Sequence, residues 1–341
     1  MKPSWIVFSW RPSSLWLTSW FLACVSADDC TADMAAFLQT PIDVRQAALA
    51  TGTIHSDRNC LLPYGAQWCS VRIPSQVPFL MAVYDANDIV SSDICGTGKW
   101  EDLNLLDLGE PGHALDIGAN IGYFSFVLAK AGWNVTLFEP LARNVELIEA
   151  TLCENPDVMA NINVHNFGLG AHPDECHIMS DKINVGDGIT RCGADALKAV
   201  PDDYEFRQSF QVRRLDDVLS AESVPKVDFV KIDVEGFECQ VLTGASKILK
   251  SYKPRLIHTE VWGNMQGCEP AHFFEMFRIY GYRISSDDEC MQSDTNAPTG
   301  DDVKMFWICR NAMQDEASLR QGDSTLISPS QKHRVLFTVD S

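Results

Sequence analysis

Between residues 113 and 309 the chain alternates short apolar runs with stretches of helical period. Apolar runs that read as buried strands lie at 113–117, 134–138, 161–167, 227–232 and 255–262. Helices are predicted over 121–131, 141–153, 237–249 and 271–280. The third of these puts Phe237, Val241, Leu242, Ala245, Ile248 and Leu249 on one stripe, the spacing of a 3.6-residue period. Strands alternating with helices of this length imply βαβ units and a parallel sheet, an α/β fold. The last two apolar runs, 282–285 and 303–309, are joined by an acidic loop with no helix, which predicts a terminal antiparallel pair. A polar excursion over 176–209, with Gly, Asp and two Cys, interrupts the alternation.

The flanks differ in character. Residues 1–27 carry Lys2 and Arg11, an apolar stretch from Leu15 to Val25, and then Val25-Ser26-Ala27 before two aspartates. This pattern fits a secretory signal peptide, with a signal anchor as the alternative. The stretch is short for a bilayer span, and no later segment approaches membrane length. Residues 28–100 form a Cys-containing extension, 101–310 the alternating domain, and 311–341 a polar tail.

Cysteine usage supports the secretory reading. Besides Cys24, eleven remain: Cys30, Cys60, Cys69, Cys95, Cys153, Cys176, Cys192, Cys239, Cys268, Cys290 and Cys309. An odd count leaves at least one free or paired between chains. Local bridges Cys60–Cys69, Cys176–Cys192 and Cys290–Cys309 are consistent with the spacing, though sequence leaves the connectivity open. Plain burial is the simpler reading of Cys153 and Cys239. No zinc-ligand spacing occurs, and no metal site is expected. The expected location is the secretory lumen or the cell exterior. A formal net charge of −19 argues against a nucleic-acid partner, which needs a basic surface.

Two loops carry the chemistry. The first, Asp116-Ile117-Gly118-Ala119-Asn120-Ile121-Gly122, leaves the first strand and enters a helix. Its glycines allow a tight turn that aims helix amides at a ligand. A dinucleotide fingerprint needs Gly where Asn120 stands, so a pyrophosphate could not approach the backbone as closely, which disfavours a nicotinamide dehydrogenase. Glu139 ends the next strand, 21 residues after Gly118, where an acidic residue can accept both ribose hydroxyls. A ligand with a ribose and no phosphate fits, which points to S-adenosylmethionine.

The second loop is Lys231-Ile232-Asp233-Val234-Glu235-Gly236-Phe237-Glu238. Together with the first loop, Phe138-Glu139-Pro140, the run Asn166 to Gly170, Leu215-Asp216-Asp217-Val218-Leu219, Val241-Leu242 and Gly244-Ala245, it resembles the FkbM family of S-adenosylmethionine-dependent methyltransferases. The resemblance spans roughly residues 112–309. It implies a class I Rossmann-like fold: a seven-stranded, mostly parallel sheet with a terminal antiparallel strand and helices on both faces. It also implies transfer to a hydroxyl oxygen of a sugar or another small metabolite. The family often has His before the last Glu of the second loop. Phe237 stands there instead.

Cofactor contacts are thereby assigned to Asp116, Gly118, Asn120, Gly122, Tyr123, Glu139 and Gly168. O-methylation removes a proton from the acceptor, so a general base is useful. Asp233 and Glu235 leave the strand end where both can face the transferred methyl. Glu238 is placed in a first helical turn, capping it or touching substrate. His258 and Glu260 share one face of the next strand. Glu260 near the strand end could meet the acceptor, and His258 is either a second base or a buried core residue. Trp262 could wall the pocket. The carboxylates could also bind a divalent cation, which the family does not generally require. Asn134-Val135-Thr136 is a glycosylation sequon whose position at a strand start suggests burial. The resulting expectation is a secreted or lumenal O-methyltransferase acting on a small-molecule or glycan acceptor. The alternative is a non-catalytic secreted binding protein that keeps the fold. A secretory route favours that alternative, because the cofactor is made in the cytosol.

Overall fold

The computed structural model describes residues 60–310, apart from 75, 102–107, 194–195, 201, 220–223, 225 and 295. The expected signal peptide, most of the expected extension, Cys24, Cys30 and the C-terminal residues 311–341 lie outside these residues.

Among the described residues the strands form three sheets. The central one contains β3 (His113–Ile117), β4 (Asn134–Phe138), β5 (Ile162–His165), β10 (Phe229–Ile232), β11 (Leu256–Trp262), β12 (Tyr282–Ser285) and β13 (Val303–Arg310). Its order is β5-β4-β3-β10-β11-β13-β12. All neighbours are parallel except β13, which runs antiparallel to both β11 and β12. This is the class I arrangement, and the antiparallel end follows from the helix-free connection between the last two strands. The chain steps outward from β3 through β4 to β5, then returns to β10 on the other side of β3. Order therefore reverses between β3 and β10, and ligands bind outside the carboxyl ends of the strands at such a switch point.

Alternate strand residues feed two cores, as the two-residue period of a strand requires. Ala114 and Val135 join one core with α2 (Tyr123–Lys130) and α3 (Ala142–Glu154). Leu115, Ile117, Val230 and Ile232 join the other with α5 (Glu238–Thr243) and α6 (Pro270–Arg278). Residues 66–97 extend the first core. They form the antiparallel pair β1 (Ala66–Val71) and β2 (Phe79–Tyr84), then α1 (Ile89–Thr97). Ala82 N donates to Thr151 Oγ1 at 2.9 Å and Tyr84 Oη to Asn144 Oδ1 at 2.8 Å, so this unit sits on α3.

The excursion over 176–209 is not irregular. It contributes strands to a second sheet of β6 (Gly168–Leu169), β7 (Asp174–Asp181), β8 (Ile189–Cys192) and β9 (Tyr204–Arg213), in the order β6-β9-β7-β8. β9 is largely solvated, so its polar residues hide the strand signal. The helix expected over 237–249 is also shorter. After α4 (Leu215–Val218) opens, Asp216 accepts from Ser246 N at 3.1 Å and Lys247 N at 2.9 Å. These bonds take the amides from a continuous helix; a π-helical turn, Ile248–Tyr252, follows.

Ten cysteines pair as Cys60–Cys153, Cys69–Cys95, Cys176–Cys192, Cys239–Cys268 and Cys290–Cys309, and no described cysteine is free. Two of the three local bridges stand. Cys60–Cys69 is replaced, because Cys60 meets α3 and Cys69 faces α1. Cys153 and Cys239 are bridged rather than simply buried. Cys30, the odd one of the eleven cysteines after Cys24, lies outside the described residues. Asn134 is exposed, against the burial inferred for its sequon. No helix among the described residues is long and apolar enough to cross a membrane.

Candidate active site

The first loop folds on backbone bonds. Gly118 N and Ala119 N donate to Phe138 O at 3.0 and 3.2 Å, which turns the chain sharply after β3. Gly118 has φ +79°, and a Cβ there would lie 1.7 Å from Asp233 O. Only glycine permits this approach of the two chemical loops. Gly122 then opens α2 at φ +87°.

Glu139 closes the other side. Its carboxylate accepts Asn120 N and Leu141 N, each at 2.8 Å, and Asn144 Nδ2 at 3.3 Å. Burial pushes its pKa up to about 8, with the two backbone bonds opposing the shift. Asn120, in left-handed backbone at φ 51°, keeps a buried Oδ1 with no hydrogen-bond partner among the described residues. Both residues line a cleft with Gly118, Tyr123, Lys231, Asp233 and Glu235. A ribose diol and an amine would meet acceptors there, so the residues fit the adenosyl cofactor.

Asp116 lies deeper. It is fully buried, accepts Ser125 Oγ at 2.6 Å, and does not line the cleft. Gly122 shapes the helix start behind the wall. Gly168 lies in β6 and lines a small apolar hollow next to Gly118.

The second loop is built around Lys231. This buried cation, next to Asp116 in the β3–β10 register, donates to Gly118 O at 3.0 Å and pairs with Asp233 Oδ2 at 3.1 Å. It also lies 3.9 Å from Asp116 Oδ1 and 5.1 Å from the centroid of the Phe124 ring. Desolvation opposes its charge, but Asp233 and Asp116 outweigh it and the ammonium is held protonated. Glu235 follows in left-handed backbone at φ 53°. Glu238 is fully buried and its Oε1 accepts Val234 N and Gly236 N, both at 3.1 Å. Glu238 thus holds the turn that presents Glu235.

Three features were missed in the sequence. Lys231 stands in the second loop, where its neighbours in sequence assign it no role. Asp187, on the β7–β8 connection, lines the cleft with Glu235, and its like charge opposes ionisation of that carboxyl. Burial and this like charge push Glu235 strongly upward. Trp100, in the extension, adds an aromatic wall. For Lys231 alone a signal existed: an ammonium on an otherwise apolar central strand must be paired.

On β11, Glu260 Oε2 accepts Trp262 Nε1 at 2.6 Å. Burial, then Asp233 and Glu238, raises its pKa. Asp233, Glu235 and Glu260 can each offer an oxygen within 4.8 Å of the others, a set able to hold a hard cation. His258 is buried, stacks on Trp307 with ring centroids 4.0 Å apart, and does not line the cleft. Burial lowers its pKa to about 3, so the ring is neutral.

Residues 116–284 match the methyltransferase FkbM domain. No curated protein matches the chain. Among solved structures, the methyltransferase domain of METTL16 is similar at 15% identity and a TM-score of 0.35, over 60% of this chain and 63% of that one. The chain therefore spans less than two thirds of that structure. Precorrin-6y C5,15-methyltransferase from Geobacter metallireducens is similar at 13% identity and a TM-score of 0.32, over 61% of this chain and 84% of that one. Magnesium protoporphyrin IX methyltransferase from Synechocystis, solved with bound SAM, is similar at 13% identity and a TM-score of 0.32, over 61% and 74%. The match runs from the end of β3 through to β12, so residues 116–284 form a methyltransferase FkbM domain, of a family that uses S-adenosylmethionine.

Proposed function

We propose that the protein methylates a hydroxyl oxygen on a sugar or small metabolite in an oxidising, secretory compartment. The observation that carries this reading is the coupling of two sites through one ammonium. Lys231 bonds the Gly118 carbonyl of the cofactor loop and the Asp233 carboxylate of the acidic loop. The cofactor would supply an electrophilic sulfonium methyl. Glu139 would accept its ribose hydroxyls, and Asn120 Oδ1 would accept its amine. Asp233 would take or orient the acceptor's hydroxyl proton, and Lys231 would hold that carboxylate in place. Orientation of two reactants can alone supply about 7–11 kcal/mol of barrier reduction. Glu235 and Glu260, held more protonated by burial and like charge, suit hydrogen bonding to the acceptor better than proton abstraction. His258, stacked under Trp307, suits packing. The five disulfides support an oxidising compartment.

The test is transfer of tritium from labelled cofactor to a panel of glycans and hydroxylated metabolites. Label in an alkali-stable ether is expected. Cofactor binding without transfer to any acceptor would favour the non-catalytic binding protein.

A further inference from the structure

The chain holds a single Asn-X-Ser/Thr triplet, Asn134-Val135-Thr136. It opens β4, and methyl transfer makes no use of it. We propose that Asn134 is an N-glycosylation site, taking an oligosaccharide from a lipid-linked diphosphate donor while the chain enters the secretory lumen. The inference rests on the compartment proposed above and not on methyl transfer.

In the transfer, the Asn134 amide nitrogen forms a bond to the anomeric carbon of the first sugar. The bond from that carbon to the diphosphate breaks. The lipid diphosphate leaves with the electron pair, and the nitrogen gives up one proton.

Two conditions must be met, at different times. The oligosaccharide transferase needs the hydroxyl two residues after the asparagine. The finished fold must then leave room for a bulky, hydrated substituent.

Geometry meets the second condition. Asn134 is exposed, although Trp133 and Val135 on either side are buried. Its Oδ1 accepts Asn161 Nδ2 at 3.2 Å, while its Nδ2 makes no bond among the described residues. The oxygen is thus tied to the protein, and the nitrogen, the atom that carries a glycan, is not. The surroundings are open as well: a Cβ on nearby Gly132 would meet only Pro111, at 3.6 and 3.8 Å.

The first condition sets the order of events. In the folded protein Thr136 is buried, and its Oγ1 is bonded to His113 Nε2 at 2.9 Å. β4 is hydrogen-bonded between β3 and β5. The hydroxyl is therefore readable only before these strands pair. β5 lies downstream of the sequon, and so does Cys153, whose bridge to Cys60 spans it. Neither closure can precede synthesis of these later segments, so the sequon is still open as it passes the transferase.

The site also spares the cleft. Asn134 starts β4, and Glu139, directly after the strand, lines the cleft. Extended chain separates the two by about 16 Å. A glycan at the amino end of the sheet stands opposite the cofactor loops.

The test expresses the full chain in a eukaryotic secretory cell line. Treatment with a peptide-N-glycosidase in heavy-oxygen water should raise the electrophoretic mobility by one step. It should also convert Asn134 to oxygen-labelled Asp, read by mass spectrometry. Asn134→Gln and Thr136→Val should each migrate with the deglycosylated protein, and Thr136→Ser should keep the modification. Transfer precedes folding, so these readings hold even in a variant that the cell later retains. Wild-type protein that carries its disulfides yet shows no mobility change and no label at Asn134 would overturn the site while leaving the compartment intact. Protein found reduced and unmodified in the cytosol would overturn the compartment, and the site with it.

Discussion

Lys231 and Asp233, two residues apart where the chain leaves β10, form an ion pair of 3.1 Å whose cation is almost fully buried. The same ammonium donates to Gly118 O at 3.0 Å. Two loops more than a hundred residues apart in sequence are therefore joined by one side chain, beside a glycine that no residue with a Cβ could replace. Under the proposed function, acceptor and cofactor chemistry would share this joint.

Replacing Lys231 with Met keeps the length and removes the charge. Asp116 would then stay buried without its compensating cation. Losing one partner of a buried pair typically costs about 3–5 kcal/mol. Urea denaturation of the folded variant measures the loss, and a change below about 1 kcal/mol would contradict the role given to this residue.

Glu139→Ala should weaken cofactor binding by about 1.5–3 kcal/mol, the scale of lost charge-assisted hydrogen bonds. Titration calorimetry on a correctly folded variant is the check. Unchanged affinity would remove Glu139 from the ribose site.

Glu139 also predicts a pH dependence. Its pKa stands near 8 in the folded protein against an ordinary 4.5. The raised value means that its contribution is present at low pH and is lost as pH rises through 8. Melting temperature without cofactor should fall between about pH 5 and pH 9, and Glu139→Gln should flatten that slope. Ribose hydroxyls would favour the ionised carboxylate, so cofactor binding near pH 7 should release protons. Binding heats identical in buffers of different ionisation enthalpy would count against this linkage.

Peptide mapping of the protein purified from an oxidising compartment, without reduction, should recover Cys60–Cys153, Cys69–Cys95, Cys176–Cys192, Cys239–Cys268 and Cys290–Cys309. Cys60–Cys153 closes 93 residues of separation, for which chain entropy predicts about 4–5 kcal/mol. The double Ser variant at these two positions should lower stability most among the five. Fully reduced cysteines would sink the pairing and the oxidising compartment together.

Asp233→Asn keeps the shape and removes the charge. As general base, Asp233 should lose about 10²–10⁴ in rate with cofactor affinity little changed. As an orienting group only, it should show a smaller loss and weaker acceptor binding. Normal turnover with normal acceptor affinity would exclude both roles.

The alternation of strand and helix was legible in the sequence because each element buries a face, and burial writes its period directly into apolar positions. Gly118, Asn120 and Glu139 were legible for a related reason: a tight turn at a strand end allows few residue types, and all three lie within one βαβ unit. Other features were decided only by the tertiary structure. Asp187 reaches the cleft beside Glu235 from the connection between β7 and β8, strands that are partly solvated and leave a weak pattern. Cys60 pairs with Cys153 rather than Cys69 because β1 and β2 dock on α3, a contact between segments far apart in the chain. His258 and Glu260 share a strand face, yet His258 lies under Trp307 while Glu260 joins the carboxylates, since depth along a strand depends on what packs over it. Local period and turn chemistry are properties of neighbours in sequence. Pairing partners, depth and the meeting of two loops at Lys231 depend on which distant segments the sheet brings side by side.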